Sequence, residues 1–357
     1  MENSITELEL GEYGNVRENM NQIFNCIPQM NRLEKLKISV RFQLTDFEMF
    51  QRALVYSNIT ELEFRRTSTG RQLVLALAAV LPKTKLKVLS FFSTNTSEKE
   101  LKELASSLPH SSVTELNLTL YNFPDISHGF TNLKILSIWT PDSAINIRWL
   151  FDALPHLCLS ELECYSEIDL QSYPSLFVNL PKSQISKLSV RINHQYSDFI
   201  CSVAQSKVRY LSVFSTEANA ICRAISDTRS FKLESLRIAD TVTSEGLQYL
   251  LQGLQVRELD LEFNEIGDAG LQVIEELISD TRIKKLNVLD SEGDCLILRN
   301  ALQYLTHLQI DVKDIEFMSH IGNLKALKIA CDEALKRQIY RSSSKHPKTI
   351  IEFVESH

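Results

Sequence analysis

The eight histidines (His110, His128, His156, His194, His307, His320, His346 and His357) are the side chains best suited to binding a metal ion or moving a proton near neutral pH. Zinc chemistry places two of them one helical turn apart, as in HExxH, so that both rings reach a single ion. No HExxH or HxxxH pair occurs, so neither a metal site nor a cofactor is expected. Gly267 and Gly270 hint at a phosphate loop, but the lysine and further glycines such a loop requires are missing, and the pair is read as the turn that starts a helix. Cys331, followed by Asp332 and Glu333, has the makings of a nucleophile. The stretch after Ala330 is too short to fold into a second, catalytic domain, so Cys331 is read as part of a terminal cap. No catalytic residue is assigned.

A different group of residues suits recognition. Arg65, Phe92, Trp139, Tyr165, Arg191 and Phe214, with Thr119 among them, recur at intervals set by a repeat described below, and Tyr210 stands beside this row at an earlier position of its own strand. Trp, Tyr and Arg are the types enriched among interface residues that dominate binding energy. The structural alternative is that rings on neighbouring strands stack on one another.

The elements that position these residues follow from an internal repeat. Leucine accounts for 51 of the 357 residues, and one pattern returns from end to end: apolar, two variable residues, Leu, one variable residue, apolar. It begins with Ile5-Leu8-Leu10 and Leu33-Leu36-Ile38, continues through Val208-Leu211-Val213 and Val256-Leu259-Leu261, and ends with Leu324-Leu327-Ile329, giving fourteen copies in one frame. Within each copy the period is two, so the spacing predicts a short strand with one buried face. Between copies apolar residues recur at helical intervals over Gln72–Leu81, Glu98–Leu108, Ile147–Leu154, Glu217–Ile225, Ser244–Leu254, Asp268–Ile278 and Leu296–Leu305. Pro28, Pro82, Pro109, Pro155 and Pro181 each follow an apolar residue where a helix should stop. Only a loop or one helical turn fits between Leu118 and Leu133.

The net charge of −7 and a pI near 5.7 argue against a phosphate-binding surface, so nucleic acid is not an expected partner. No apolar run is long enough to span a membrane, and the first residues resemble no signal peptide. Seven scattered cysteines without a CxxC pair fit a reducing, cytoplasmic setting, so the Asn58, Asn95 and Asn117 glycosylation triplets are read as chance. Cys201 and Cys222, in successive helices, are expected to stack in the core.

The segment from Val256 through Leu259, Leu261, Asn264, Ile266, Gly270 and Leu271 to Ile278 resembles a unit of the leucine-rich repeat family, in its long, helix-containing, ribonuclease-inhibitor-like form. That resemblance implies an α/β solenoid, a horseshoe with a concave parallel β-sheet and convex helices. Residues 1–330 would form about fourteen repeats and 331–357 a C-terminal cap of a helix and a short strand. It implies a non-enzymatic, monomeric scaffold, adaptor or inhibitor that grips a protein partner on the concave face. Activators of the small GTPase Ran are similar, but they carry an acidic tail that this chain lacks. The phrase from Leu108 to Leu118 is also similar to leucine-rich repeat effectors of intracellular bacteria, which would place the chain in a host cytosol. The family asparagine is present at Asn264 and Asn193, while Thr67, Thr94, Thr216, Thr241 and Ser291 stand in the corresponding place elsewhere. Alternating charges on the strands (Glu7, Glu9, Lys35, Lys37, Glu61, Glu63, Glu161, Glu163, Glu258, Asp260 and Glu262) predict cross-strand pairs on a solvated face.

Overall fold

The computed structural model describes residues 5–11, 19–39, 46–65, 71–92, 96–119, 124–140, 147–228, 231–261, 264, 266–289, 293–311, 315–331, 333–343 and 349–354. The chain forms two compact units, Met1–Ile168 with Tyr173–Ile185, and Asp169–Ser172 with Ser186–His357.

Among the described residues of the first unit seven strands succeed one another: β1 (Glu7–Leu10), β2 (Lys35–Ile38), β3 (Glu61–Arg65), β4 (Val88–Phe92), β5 (Glu115–Thr119), β6 (Ile135–Trp139) and β7 (Glu161–Asp169). Each pairs in parallel with the next, and the repeat leucines share one register from Leu8 through Leu36, Leu62, Leu89, Leu116 and Leu136 to Leu162. From Leu36 onward these side chains are at most 1% exposed, as period-two alternation requires of a face turned to the core. The connections carry α1 (Met20–Cys26), α2 (Asp46–Tyr56), α3 (Arg71–Val80), α4 (Glu98–Ser107), α5 (Arg148–Ala153) and α6 (Pro174–Asn179). Between the helix side and the sheet, Phe24, Phe50, Phe64 and Phe91 form a chain of ring contacts at 5.5, 6.1 and 5.0 Å. Edge-on and offset arrangements at such distances favour aromatic pairs beyond simple burial.

The prolines act one step later than a plain stop. Each is the second residue of a 3-10 turn that closes the helix: Ile27–Gln29, Leu81–Lys83, Leu108–His110, Leu154–His156 and Leu180–Lys182. In three of the five, a hydroxyl finishes the turn. Thr84, Ser111 and Ser183 donate to the carbonyls of Leu81, Leu108 and Leu180 at 2.8 to 2.9 Å. Ser111 and Ser183 also accept from the amides of Val113 and Ile185, so Leu-Pro-x-Ser ties the end of the turn to the chain that enters the next strand.

The short interval before β6 holds one 3-10 turn, Ser127–Phe130, against α4. A Cβ on Gly129 would lie 2.5 Å from the carbonyl oxygen and 2.7 Å from the Cα of Ala105, both backbone atoms that cannot move alone. Gly129→Ala is therefore expected to lower stability by about 1 to 3 kcal/mol, the usual range for forced overpacking, and to lower the melting temperature with the circular dichroism spectrum retained.

Among the described residues of the second unit eight strands follow: β8 (Lys187–Asn193), β9 (Tyr210–Phe214), β10 (Ser235–Ala239), β11 (Glu258–Asp260), β12 (Lys285–Val288), β13 (His307–Asp311), β14 (Ala326–Ala330) and β15 (Ile350–Val354). The same register runs from Leu188 through Leu211, Leu236, Leu259, Leu286, Leu308 and Leu327 to Ile351. Its helices are α7 (Tyr196–Gln205), α8 (Ala218–Asp227), α9 (Ser244–Gly253), α10 (Gly267–Leu277) and α11 (Glu333–Ser343). The segment Leu296–Leu305 departs from the α-helix expected there. It forms two 3-10 pieces, Cys295–Arg299 and Ala301–Gln303. Parallel strands joined throughout by helical crossovers make this an α/β leucine-rich repeat solenoid.

The turn asparagine at Asn264 is fully buried. Its Nδ2 donates to the carbonyl of Ile238 at 2.8 Å, and its Oδ1 accepts from the amide of Val242 at 2.9 Å, holding the turn of the preceding repeat. Thr216 and Thr241 do not take this role, since both are exposed. Ser215, one residue earlier, is buried instead and meets the Tyr196 hydroxyl and the Glu217 amide, each at 3.1 Å. Ser166 does the equivalent in the first unit, accepting from the Thr140 amide at 2.9 Å. A hydroxyl is shorter than a carboxamide, so it reaches the turn only when the chain turns inward one position sooner. Thr67, Thr94 and Ser291 lie outside the described residues.

Candidate functional site

On each strand the residues flanking the buried leucine point to the face opposite the helices. In the first unit, Lys35 pairs with Glu61 across β2 and β3 at 3.0 Å, Lys37 pairs with Glu7, and Arg65 pairs with Glu63 on its own strand. The hydrogen bond from Lys37 holds the Glu7 carboxyl below its usual range, and the bond to Glu61 raises the Lys35 ammonium. The expected cross-strand pairs are present here; Glu262 lies outside the described residues. These pairs are solvent-facing and contribute little individually.

From β4 to β7 the character of that face changes. Arg65 is in register with Phe92, Phe92 with Thr119, and Thr119 with Trp139, while Tyr165 follows Cys164, the partner of Ile138. Phe92, Trp139 and Tyr165 are 43%, 45% and 40% exposed, whereas Thr119 is buried. A single exposed ring is ordinary, but three within four successive strands form a patch that neither core nor helix covers.

Beside the rings runs a polar row. Asn117 Nδ2 donates to Ser90 Oγ at 3.0 Å and to Glu115 Oε1 at 3.2 Å. Ser137 Oγ and the Tyr165 hydroxyl both donate to Glu163 Oε2, at 2.9 and 3.0 Å. The last bond tethers the Tyr165 ring, which therefore loses less freedom when covered by a partner. Sequence reasoning set Glu163 down only as a solvated charge and passed over Glu115 and Glu167. The signal for Glu167 was there: Cys164, Ser166 and Ile168 continue the alternation, extending β7 to nine residues with Glu167 on the same face as Tyr165.

The remaining candidates lie in the second unit. Arg191 and Phe214 are register partners on β8 and β9. Phe214 is half-buried, with the Arg237 guanidinium 6.0 Å from its ring centre; Arg237 itself was not among the candidates. Arg237 also lies 3.5 Å from Asp260. Tyr210 belongs to another row, in register with Lys187 and Ser235, and is 46% exposed. Its hydroxyl donates to Glu234 Oε2 at 3.2 Å, and the charge of Glu234, followed by that bond, raises its pKa.

Three of the thiols, those of Cys164, Cys222 and Cys295, are buried. Cys222 is buried, and loss of hydration pushes its pKa up to about 12, as it does for Cys164. Cys201 does not stack on Cys222: it is exposed, on the outward side of α7, because the two short helices present different faces at those positions. Cys331 is half-buried at the end of β14, and Asp332 lies outside the described residues. Among the described residues no group of three or more His, Cys, Asp or Glu side chains could hold a metal ion, and no helix is long and apolar enough to cross a membrane.

No protein-family model and no curated protein matches the sequence. Two crystal structures are similar in fold at low identity. An internalin from Listeria monocytogenes is 15% identical over 98% of this chain and 86% of its own, with a TM-score of 0.35. The Rad7 and Elc1 complex of yeast matches at 15% identity over 89% of this chain and 83% of the matched chain, with a TM-score of 0.46.

Proposed function

We propose that the chain is a non-enzymatic protein-binding scaffold and that, in its first unit, the open sheet face of β4 to β7 grips the partner. The observation that carries this reading is the row of Phe92, Trp139 and Tyr165, each two-fifths or more exposed on rigid strands. Large rings held by strands expose apolar area at little cost in flexibility, which is how interface anchors bind. Arg65, at the end of the row and paired with Glu63, would tune association rate and partner choice. Arg191, Tyr210 and Phe214 are kept as contact residues of the second unit. A ribonuclease-inhibitor-like repeat type, a monomer working in the cytoplasm, and capping by the α11 and β15 segment belong to the same reading. Connecting helices as long as α2, α3, α4, α8, α9 and α10 support the first. The buried Leu335 and Ile339 of α11 support the last.

The test is capture by the full chain, with cross-linking and mass spectrometry to locate the contact. The variant Trp139→Ala with Tyr165→Ala removes two anchors that the core does not use. Its melting profile should be unchanged, and its affinity for a captured partner should fall by about thirtyfold or more, the usual consequence of losing one hot-spot residue. A partner cross-linked only to the helices and bound equally by this variant would overturn the reading.

A further inference from the structure

We infer that the sheet face of β8 to β10 captures a carboxylate, the side chain of an aspartate or glutamate in an extended peptide segment, through Arg191. The inference rests on the reading of Arg191, Tyr210 and Phe214 as contact residues of the second unit, and adds the chemistry of what they contact.

Other arginines of this unit are engaged within the protein. Arg223 pairs with Glu245 at 2.7 Å, Arg237 lies 3.5 Å from Asp260, and Arg209 donates to the Lys232 carbonyl at 2.9 Å. Arg191 is exposed, and among the described residues it makes no ion pair, hydrogen bond or ring contact. Its backbone is fixed in the parallel ladder between β8 and β9 while its head is uncommitted. A cation presented in this way binds an anion without first giving up an internal partner.

The neighbours suit a planar, singly charged group. Phe214 is the register partner of Arg191, and Ser189 and Ser212, partners of one another, lie two residues before them on the same face. Ser189 is buried and Ser212 half-buried, and among the described residues neither hydroxyl has a hydrogen-bond partner. The guanidinium fork matches the two oxygens of a carboxylate, and a serine hydroxyl supplies a further donor.

The surrounding charges limit what else could bind. Asp260 is answered by Arg237, and Glu258 by Lys285 at 3.4 Å. Glu234 accepts from the Tyr210 hydroxyl at the other end of β9, and Lys187, in register with Tyr210, belongs to that end as well. A phosphate polymer needs a run of free cations, whereas this face interleaves cations with carboxylates, so it suits a peptide carboxylate rather than a nucleic acid. Tyr210, 46% exposed, supplies the apolar half of the site. It precedes Phe214 by four residues, about 13 Å along a strand, and an extended peptide advances at the same rate. An acidic residue at Arg191 therefore brings the side chain about four positions away, on the same side of the segment, against Tyr210.

The experiment pans a display library of short random peptides on the full chain, then measures the enriched peptides, fluorescein-labelled, by anisotropy. They should carry Asp or Glu about four positions from an apolar residue and bind less well as salt is raised. Arg191→Gln should weaken them by about tenfold, and Arg191→Lys by less, since the charge remains and the fork is lost. Replacing the acidic residue of the peptide by Gln should remove the difference between the wild type and Arg191→Gln. Tyr210→Ala should weaken the acidic peptides and their Gln counterparts alike. Unchanged melting curves show that the variants fold. If the enriched peptides are neutral or basic, or ignore Arg191→Gln, yet are weakened by Tyr210→Ala, the carboxylate assignment is overturned and the contact-residue reading stands. If they bind the Arg191→Gln and Tyr210→Ala variants undiminished, both fall. If no peptide is enriched, the carboxylate inference is overturned, and the contact-residue reading is decided by the cross-linking of a captured partner.

Discussion

Leu259→Ala is expected to destabilise the protein by about 2 to 5 kcal/mol, the cost of lost burial plus the cavity left behind. Leu259 is completely buried on β11, with Leu236 and Leu286 beside it in register and Leu261 equally buried two residues on. Its neighbours are held by two parallel ladders, so the space cannot close by a small backbone shift, and the effect should fall in the upper part of that range. β11 is also short, three residues, which leaves fewer ladder bonds to resist local opening. Repeats contact their neighbours, so the loss spreads along the stack and should broaden the unfolding transition as well as lower its midpoint. Chemical denaturation with fluorescence detection measures both. A change below about 1 kcal/mol would mean that the repeat frame does not face the core as described.

The second large effect is expected at Asn264. Replacement by Ala removes a carboxamide that joins the Ile238 carbonyl and the Val242 amide, and leaves both backbone groups buried without that partner. Each such group costs about 1 to 3 kcal/mol, so a total of about 2 to 6 kcal/mol is expected. Asn264→Asp should be intermediate, because a carboxylate still accepts from the Val242 amide but cannot donate to the Ile238 carbonyl. Amide hydrogen exchange supplies the local readout: protection at Val242 should drop in Asn264→Ala and persist in Asn264→Asp. Equal protection in the two variants would show that the side chain does not hold this turn.

These two residues mark what could be read directly from the chain. Leu259 belongs to a pattern whose meaning is local, since every second position of a strand faces one side, whereas Asn264 was legible from its place after the strand although its partners, Ile238 and Val242, lie in the preceding repeat. The strand positions and the buried row of leucines follow from periodicity, because short units hide their apolar surface by burying one face of each repeat against the next, while the parallel order was implied by the family resemblance. The candidate rings were legible for the same reason. Phe92, Trp139 and Tyr165 occupy the outward places of strands whose inward places were already assigned.

What tertiary structure alone decided is how far each position is exposed and what lies beside it. Thr119 shares the row of Phe92 and Trp139 yet is buried, and Phe214 is half-buried near Arg237, because exposure depends on the size of neighbours one strand away rather than on sequence spacing. The frame put the turn-holding hydroxyl at Thr216; Ser215 holds the turn, since a short side chain must start closer to its target. The bond from Tyr165 to Glu163 likewise arises from side-chain reach along β7. Sequence therefore determined the repeating frame, which is written in the alternation of faces along each strand and in the return of that pattern from repeat to repeat. Tertiary structure decided the recognition surface, which rests on contacts between residues a whole repeat apart.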